Sequence, residues 1–219
     1  MKNKILPFSI ISVLLLIFFN CDNLTDTSNI NSGSLFDSMF LEKFQKGVFP
    51  TANFTDTVDT PIYDSMPVTN YGNSPVGAIG TFNNNDTPPS TFRYLLRFNI
   101  KGYIPKTAIV KKAFLLAYLV PNGKSETSEK GIYSLTRDFS EGIGPQAADG
   151  ATWNTYDGFG SWTNPGGDFN AALISNAVLI NGTTADYYTF ELSASTVQEW
   201  VNDTSGNHGM IIKNISEMP

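Results

Sequence analysis

Alternation of apolar and polar residues dominates the chain from Val48 onward and predicts a mostly β domain. In residues 91–100 every second side chain, beginning with Phe92, is apolar, whereas Arg93 and Arg97 lie on the opposite face. Such alternation is typical of a strand that packs one face on a core. The pattern predicts an all-β fold, an antiparallel jelly-roll-like β-sandwich.

Residues 108–120 form the longest apolar run of this domain, and they are apolar on both faces after Lys112. This is typical of a central strand that is covered on both sides. Residues 195–201 begin with a serine that can cap a helix, and they place Val197 and Trp200 on one side, which predicts a short helix. Further strands are predicted at residues 131–139, 187–192 and 209–213.

The N-terminal segment has the pattern of an export signal. Two lysines among the first four residues precede an apolar stretch over residues 5–19, which is shorter than the roughly 20 residues of a spanning helix. Cys21, the only cysteine, follows directly, as in bacterial lipoproteins that are acylated there, although Asn20 departs from the usual small residue. We predict a signal peptide over residues 1–20, lipidation at Cys21, and an exported protein anchored to a membrane, periplasmic or at the cell surface. The alternative is an ordinary secretory signal with an incidental thiol.

Residues 21–47 form the predicted tether of the domain 48–219. The part up to residue 34 consists mostly of Asn, Asp, Ser, Thr and Gly and has almost nothing to bury. Three phenylalanines follow at a spacing of four: Phe36, Phe40 and Phe44. This spacing suits either an amphipathic helical turn or a first, irregular edge of the domain.

Charge and composition narrow the choice of partners. The chain has 20 acidic and 14 basic residues and a formal net charge of -6, which argues against a nucleic-acid binder. Hydrophobic residues make up 41% of the chain, enough for one buried core. No cysteine follows Cys21, so no disulfide framework is expected within the domain.

A series of short motifs runs through residues 52–214. They are Asn70-Tyr71-Gly72, Tyr94-Leu95-Leu96-Arg97-Phe98, Ile104-Pro105, Thr152-Trp153-Asn154, Trp162, Gly166-Gly167-Asp168, Val197-Gln198-Glu199-Trp200 and Asn207-His208-Gly209. In order and spacing they resemble the DNRLRE family of carbohydrate-binding-type modules of secreted and surface proteins. The resemblance implies a jelly-roll module; some members bind acidic polysaccharides or are attached to enzymes that cut matrix glycans.

Such modules normally continue to a closing strand with an Arg-Pro pair, which is missing before Pro219. A truncated product, or a sheet edge that a partner chain covers, is therefore expected.

A Gly-rich excursion over residues 141–171 supplies the candidate ligand-binding aromatics, because glycan sites pair aromatic rings with polar groups. Trp162 and Tyr156 are the candidates, and a role as core anchors is the alternative for the tryptophan rings, Trp153 and Trp200 above all. Three arginines are candidates to meet uronate carboxylates, with ordinary ion pairs as the alternative: Arg93, Arg97 and Arg137.

Loop aspartates are the candidate metal ligands, because clustered oxygens hold calcium without His or Cys. The candidates for a structural calcium are Asp149, Asp157 and Asp168, and Asx turns are the alternative explanation. His208 is the only histidine, so neither a zinc site nor a histidine-based triad is expected.

The sequence therefore predicts a non-catalytic cell-envelope lipoprotein that binds polysaccharide. The expected ligand is an acidic glycan or a matrix glycan. One alternative is a structural or assembly surface protein without a sugar site. A weaker alternative is a glycan-degrading enzyme or its accessory, built on paired carboxylates such as Glu126, Asp138 and Glu141.

Overall fold

The computed structural model of the protein describes residues 8–21, 39–82, 89–120, 127–145, 147–181, 183, 185–202 and 206–217. Within these ranges the chain forms eleven β-strands and one α-helix, and all strand pairs between them are antiparallel. The predicted fold class, an all-β sandwich with one short helix, is confirmed. The elements are β1 (Phe8–Cys21), β2 (Met39–Phe44), β3 (Thr57–Tyr63), β4 (Gly77–Phe82), β5 (Ser90–Phe98), β6 (Ala108–Val120), β7 (Thr127–Leu135), β8 (Phe169–Leu173), β9 (Val178–Asn181), β10 (Asp186–Leu192), α1 (Ala194–Asn202) and β11 (Met210–Asn214).

The strands form two layers that share β4. The first sheet has the order β2-β1-β6-β10, and the second has the order β3-β5-β11-β7, with β8 and β9 both paired to β7. The first half of β4 pairs with β1 and its second half pairs with β5. The change of sheet occurs at Gly80, whose φ of 126° is open to glycine and strained for other residues. One strand thus joins the two layers at a corner.

Strand β5 buries the face that its alternation predicts, and its other face is packed as well. Tyr94, Leu96 and Phe98 point into the core between the two sheets, and each is at most 4% exposed. Leu95 points the other way, into a second hydrophobic cluster outside the second sheet. The predicted assignment of faces is therefore confirmed, and the outer face of this sheet is covered as well.

Strand β6 is central, but one expectation about it is wrong. It lies between β1 and β10, and its inward residues Ala113, Leu115 and Ala117 are almost fully buried. The outward residues, such as Phe114 and Leu116, are only half-buried, so this face is not the fully covered one that the sequence predicted. Among the described residues its cover comes from neighbouring strands, for example the edge-to-face contact of Phe18 with Phe114, whose ring centroids are 6.0 Å apart.

The apolar segment that resembles a leader is β1 in this structure. It pairs with β6 at 12 positions from Ser9 to Cys21, and Leu15 and Ile17 are completely buried. On its other side it pairs with β2 and β4. The predicted signal peptide and lipidation stay predictions, and the same residues have a second role as an interior strand.

The segment after the tether forms an edge strand and not a helix. Phe44 in β2 is completely buried, whereas Phe40 is half exposed and stacks on Phe19 with ring centroids 5.8 Å apart. Of the two alternatives for the phenylalanine spacing, the edge is therefore the correct one; Phe36 lies outside the described residues.

The predicted helix is present, and it begins one residue before and ends one residue after the predicted residues 195–201. Its first turn is capped by Ser193, whose hydroxyl accepts a hydrogen bond from the backbone N–H of Thr196 at 3.4 Å, and not by Ser195. Val197 and Trp200 are buried, as predicted. No helix in the described part of the chain is long and apolar enough to span a membrane.

A lysine is completely buried at one end of the sandwich. Lys130 on β7 donates hydrogen bonds to the side chains of Asn214 and Ser128. Burial lowers the pKa of Lys130 from 10.5 to about 7, although the charge of Glu217 opposes this shift. The folded protein therefore releases a proton that the unfolded chain keeps.

We expect this lysine to make stability rise with pH above neutrality. Between a folded pKa of about 7 and an unfolded value of 10.5 the unfolded state binds more protons, so the free energy of unfolding increases with pH in that window. Between pH 7 and pH 9 the gain is on the order of 2 kcal/mol, and Lys130→Met should abolish it. Urea unfolding at the two pH values measures this gain. The exposed Lys112→Met is the control that keeps it, and equal gains in all three proteins would contradict the expectation.

Candidate functional site

The Gly-rich excursion folds over the outer face of the second sheet and builds the second hydrophobic cluster. Trp162 is its centre: the residue is 4% exposed, and its indole N–H donates a 3.0 Å hydrogen bond to the carbonyl of Thr152. Its ring packs edge-on against Tyr156, with centroids 5.8 Å apart. This burial leaves no open ring face on Trp162 for a sugar, so the residue is placed as a core anchor. Trp200 is likewise buried, in the inner core.

The three candidate arginines are each paired with a carboxylate. Arg93 forms a bidentate ion pair with Glu217, in which Nε donates to Oε1 at 3.0 Å and Nη2 donates to Oε2 at 2.6 Å. The guanidinium of Arg93 lies over the ring of Trp153. Arg97 contacts Asp138 at 2.9 Å. The remaining pair joins Arg137 to Asp168 at 3.3 Å, with the guanidinium 4.7 Å from the ring centre of Tyr156. The structure therefore brings Arg137, Tyr156 and Trp162 together, while Arg93 and Arg97 lie in other ion pairs.

The candidate metal ligands have backbone partners of their own. Asp149 accepts a hydrogen bond from the N–H of Ile143 at 3.2 Å, and Asp157 accepts from Phe159 and Gly160 at 2.9 and 2.7 Å. Asp157 thus has the Asx-turn role that the sequence left open, whereas Asp149 binds a backbone N–H six residues earlier in the chain. In the ranges that the structure describes, no three Asp, Glu, His or Cys residues come together to hold a metal.

Asp168 has a similar structural role. Its carboxylate accepts hydrogen bonds from the N–H groups of Thr163 and Asn164, at 2.9 and 3.0 Å. Burial raises the pKa of Asp168, but these two hydrogen bonds and the charge of Arg137 outweigh burial and hold the pKa below its usual value. Asp168 thus stays ionised and ties the end of the excursion to β7.

A polar cavity of about 390 Å³ opens at the side of the sandwich, where the end of β2 faces β3. We call it the side cavity. It is lined by Gln45, Lys46, Thr57, Asp59, Gly72, Asn73, Ser74, Pro75, Tyr94, Leu96 and Glu141. Residues from five separate parts of the chain therefore meet in one concave site.

Two carboxylates and two donors organise the side cavity. The hydroxyl of Tyr94 donates a hydrogen bond to Asp59, and the ammonium of Lys46 contacts both oxygens of Glu141, at 2.9 and 3.1 Å. Burial raises the pKa of Tyr94, and the charge of Asp59 raises it further, so this hydroxyl keeps its proton. Burial also raises the pKa of Glu141, against the opposing effect of Lys46.

Thr57 is the one lining residue with an unsatisfied group. It is 4% exposed, and its hydroxyl has no hydrogen-bond partner among the residues that the structure describes. A buried hydroxyl without a partner costs about 1–3 kcal/mol. Although Thr57 lines the cavity, its hydroxyl oxygen has almost no accessible surface, so this group lies behind the cavity wall and a molecule in the cavity does not reach it.

A second depression of about 320 Å³ contains one of the predicted site residues. It is lined by Arg97, Asn99, Lys101, Asp138 and Asn207. Asp138 also contacts the Nδ1 atom of His208 at 2.9 Å, so the carboxylate is shared between two partners. With two cationic side chains against one carboxylate, this depression is the more favourable place for an acidic ligand.

Sequence reasoning found only part of the side cavity. Glu141 was among the candidate carboxylates, whereas Asp59 and Thr57 were not identified. The signal for them was the pair of polar residues Thr57 and Asp59, which lie on the inward face of β3 opposite Phe98 and Leu96 of β5. Cys21, the predicted lipidation site, is the last residue of β1, opposite Ala108, and its side chain lies outside what the structure describes.

Comparison of the chain with family models, with curated proteins and with solved structures gives no match. The resemblance to carbohydrate-binding-type modules therefore stays a prediction from the motifs. Arguments about function rest on the geometry described above.

Proposed function

We propose that the protein is an exported lipoprotein, attached to a membrane through Cys21, whose β-sandwich binds a polysaccharide in the side cavity. The observation that supports this most is the concave polar lining of that cavity, which combines the carboxylates of Asp59 and Glu141 with the ammonium of Lys46. Sugar hydroxyls both donate and accept hydrogen bonds, so they can serve such a mixed set of groups. Attachment through Cys21 rests on the leader pattern of the sequence.

The charges of the cavity favour a neutral glycan. Asp59 and Glu141 contribute two negative charges against the single positive charge of Lys46, so a uronate carboxylate would meet net repulsion there. The three arginines predicted to bind acidic sugars are each paired with an acidic residue of the protein. An acidic glycan is the ligand expected if the depression at Arg97 is the site instead.

Binding is a better fit than hydrolysis. In the side cavity Asp59 already accepts a hydrogen bond from Tyr94, and Glu141 is held by Lys46. A general acid and a nucleophile need to be free to reach the scissile bond. The alternative of an assembly protein without a sugar site gives no role to the polar lining of the side cavity.

Lys46→Met is expected to separate ligand binding from stability. The Lys46 side chain is 45% exposed, so loss of its ion pair with Glu141 should change the free energy of unfolding by less than about 1 kcal/mol. The affinity for a neutral polysaccharide should fall about 10-fold, because a charge-assisted hydrogen bond of about 1.5 kcal/mol from the ammonium to a sugar hydroxyl is lost. Thermal unfolding with and without neutral and acidic polysaccharides, followed by calorimetric titration of any that raise Tm, measures both effects.

Two matched variants control this experiment. Lys111→Met removes an exposed lysine that does not line the side cavity, and it should leave glycan affinity unchanged. Arg97→Gln tests the second depression. An acidic glycan whose binding is lost only in Arg97→Gln would move the site there, and a Tm that no glycan raises would contradict the proposed function.

A further inference from the structure

Strand β1 is an interior strand with partners on both sides. It pairs antiparallel with β6 along most of its length, with β2 from Leu15 to Asn20, and with β4 from Phe8 to Ile10. Leu15, Ile17 and Phe19 point inward and are 0%, 0% and 6% exposed. This strand therefore supplies both backbone hydrogen bonds and core side chains to the first sheet.

The same residues have the chemistry of a removable leader. If the chain is processed before Cys21, as the proposed function assumes, the mature protein lacks the whole of β1. What remains of the first sheet is then incomplete. Strand β6 loses its partner on one side, β2 loses its only partner among the described pairs, and the first half of β4 loses its partner. We call the space between β6 and these two strands the slot.

An empty slot would be unfavourable for two reasons. A row of backbone N–H and C=O groups on β6 would be left without partners, and an unpaired sheet edge tends to pair with another strand. The inward residues Leu115 of β6 and Phe44 of β2, which lie opposite Leu15 in the sheet and are both completely buried, would lose cover. We therefore expect the slot to bind a strand that has apolar side chains.

The register of β1 defines which strand fits. The occupant lies antiparallel to β6, is about as long as the paired part of β1, and places large apolar residues at alternate positions, as at Leu15, Ile17 and Phe19. On the outward face, half-buried apolar residues such as Leu16 and Phe18 are tolerated. An extended apolar segment that adds its own backbone hydrogen bonds satisfies these requirements.

A second copy of this chain does not offer such a segment. After processing, the residues ahead of β2 are 21–38, and they are mostly Asp, Asn, Ser, Thr and Gly without alternating apolar residues. We propose that the slot is a strand-acceptor site that binds an apolar β-strand donated by a different protein chain once the leader has been removed. The uncleaved chain fills the slot with its own residues 8–21. The proposal rests on the processing step of the proposed function.

Strand exchange in the full chain tests the acceptor property. A protease site is inserted in the tether, within residues 22–38, and the folded full chain is cut there. A labelled peptide with the sequence of residues 8–21, Cys21→Ser and terminal lysines for solubility, is then added in excess. We expect one label per molecule, antiparallel to β6, and a Tm close to that of the uncut chain.

Two peptide variants test whether incorporation of the peptide depends on the register of its side chains. The peptide with Ile17→Asp should not be incorporated, because this position faces the core, whereas Leu16→Asp on the outward face should still be incorporated. Equal incorporation of both variants would mean non-specific adhesion and would overturn the proposal. The proposal would also be overturned if the cut chain lost residues 8–21, bound no peptide and kept its Tm. The slot would then close without an occupant.

The source of the donor strand is tested in the cell envelope. A photo-crosslinking residue at Leu116, on β6 opposite Leu14, should join the mature protein to an alternating apolar segment of another protein. A cross-link to a second copy, or no cross-link, would overturn the proposal. The mass of the purified envelope protein separates two failures: an intact leader contradicts the processing that the proposed function assumes, and a processed chain without a bound strand contradicts the acceptor site alone.

Discussion

Replacement of Trp162 by alanine should lower the free energy of unfolding by about 3–5 kcal/mol, the range for truncation of a buried tryptophan. Trp162 is 4% exposed in the cluster between the second sheet and the excursion, and its N–H is bonded to the carbonyl of Thr152. Truncation leaves a cavity beside Tyr156 and an unpaired carbonyl. Urea unfolding of the full chain, followed by fluorescence and by circular dichroism, measures the loss.

Phe159 is the matched control for Trp162. It lies in the same excursion but is 80% exposed, so Phe159→Ala should change the free energy of unfolding by less than about 0.5 kcal/mol. The opposite result is informative. If Trp162→Ala kept full stability and lost polysaccharide binding, the tryptophan would be the sugar platform that the sequence predicted, and its burial in the free protein would have to give way on binding.

The sequence predicts best those elements whose pattern depends on local alternation alone. Strands β5, β6, β10 and β11 and the helix α1 lie within a few residues of their predicted positions. The strand predicted at residues 131–139 is β7, which lies four residues earlier, and strands β3, β4, β8 and β9 were not predicted. β3 contains Pro61, which demotes a strand pattern but is tolerated because β3 is an edge strand that pairs only with β5. In β4, glycines at 77 and 80 hide the pattern at a strand that changes sheets.

The N-terminal segment shows a limit of a different kind. A 14-residue apolar run flanked by lysines fits a leader, and the same run fits an interior strand, because both need apolar residues and neither needs polar ones. Local pattern cannot choose between these roles. The choice depends on residues far along the chain, in β6, that offer β1 a partner.

The sequence and the structure point to different candidate sites. The sequence named aromatic side chains of the excursion and three arginines outside it, but the excursion packs on the second sheet with Trp162 inside the cluster, and Arg93 of β5 donates a hydrogen bond to the carbonyl of Gly166. The side cavity depends on long-range neighbours, such as Lys46 with Glu141, that no spacing along the chain reveals. A hydrogen bond from Asn70 to the backbone carbonyl of Glu141 holds Glu141 at the wall of the side cavity.

Asn70 joins three loops and is expected to be the most sensitive polar residue of the site. It is 2% exposed and uses every hydrogen-bonding group it has. Its amide N–H₂ donates to the carbonyls of Glu141 and Ala151 at 2.8 and 2.9 Å, and its oxygen accepts from the N–H groups of Gly72 and Gly144 at 3.1 Å each. The side chain thereby holds the backbone of Glu141 at the wall of the side cavity.

Asn70→Asp should lower the free energy of unfolding at pH 7 by about 2–6 kcal/mol, since two buried carbonyls each lose a donor at about 1–3 kcal/mol and face a carboxylate instead. The loss should shrink at acidic pH, because a protonated carboxyl regains one donor and the folded state favours that form. Urea unfolding at pH 7 and pH 4 tests both statements, with Asn53→Asp, which is exposed and does not line the side cavity, as the control that changes neither. Polysaccharide affinity should fall in Asn70→Asp even where the protein remains folded, because Glu141 is no longer held. Full affinity in a destabilised variant would instead mean that Glu141 does not contact the ligand.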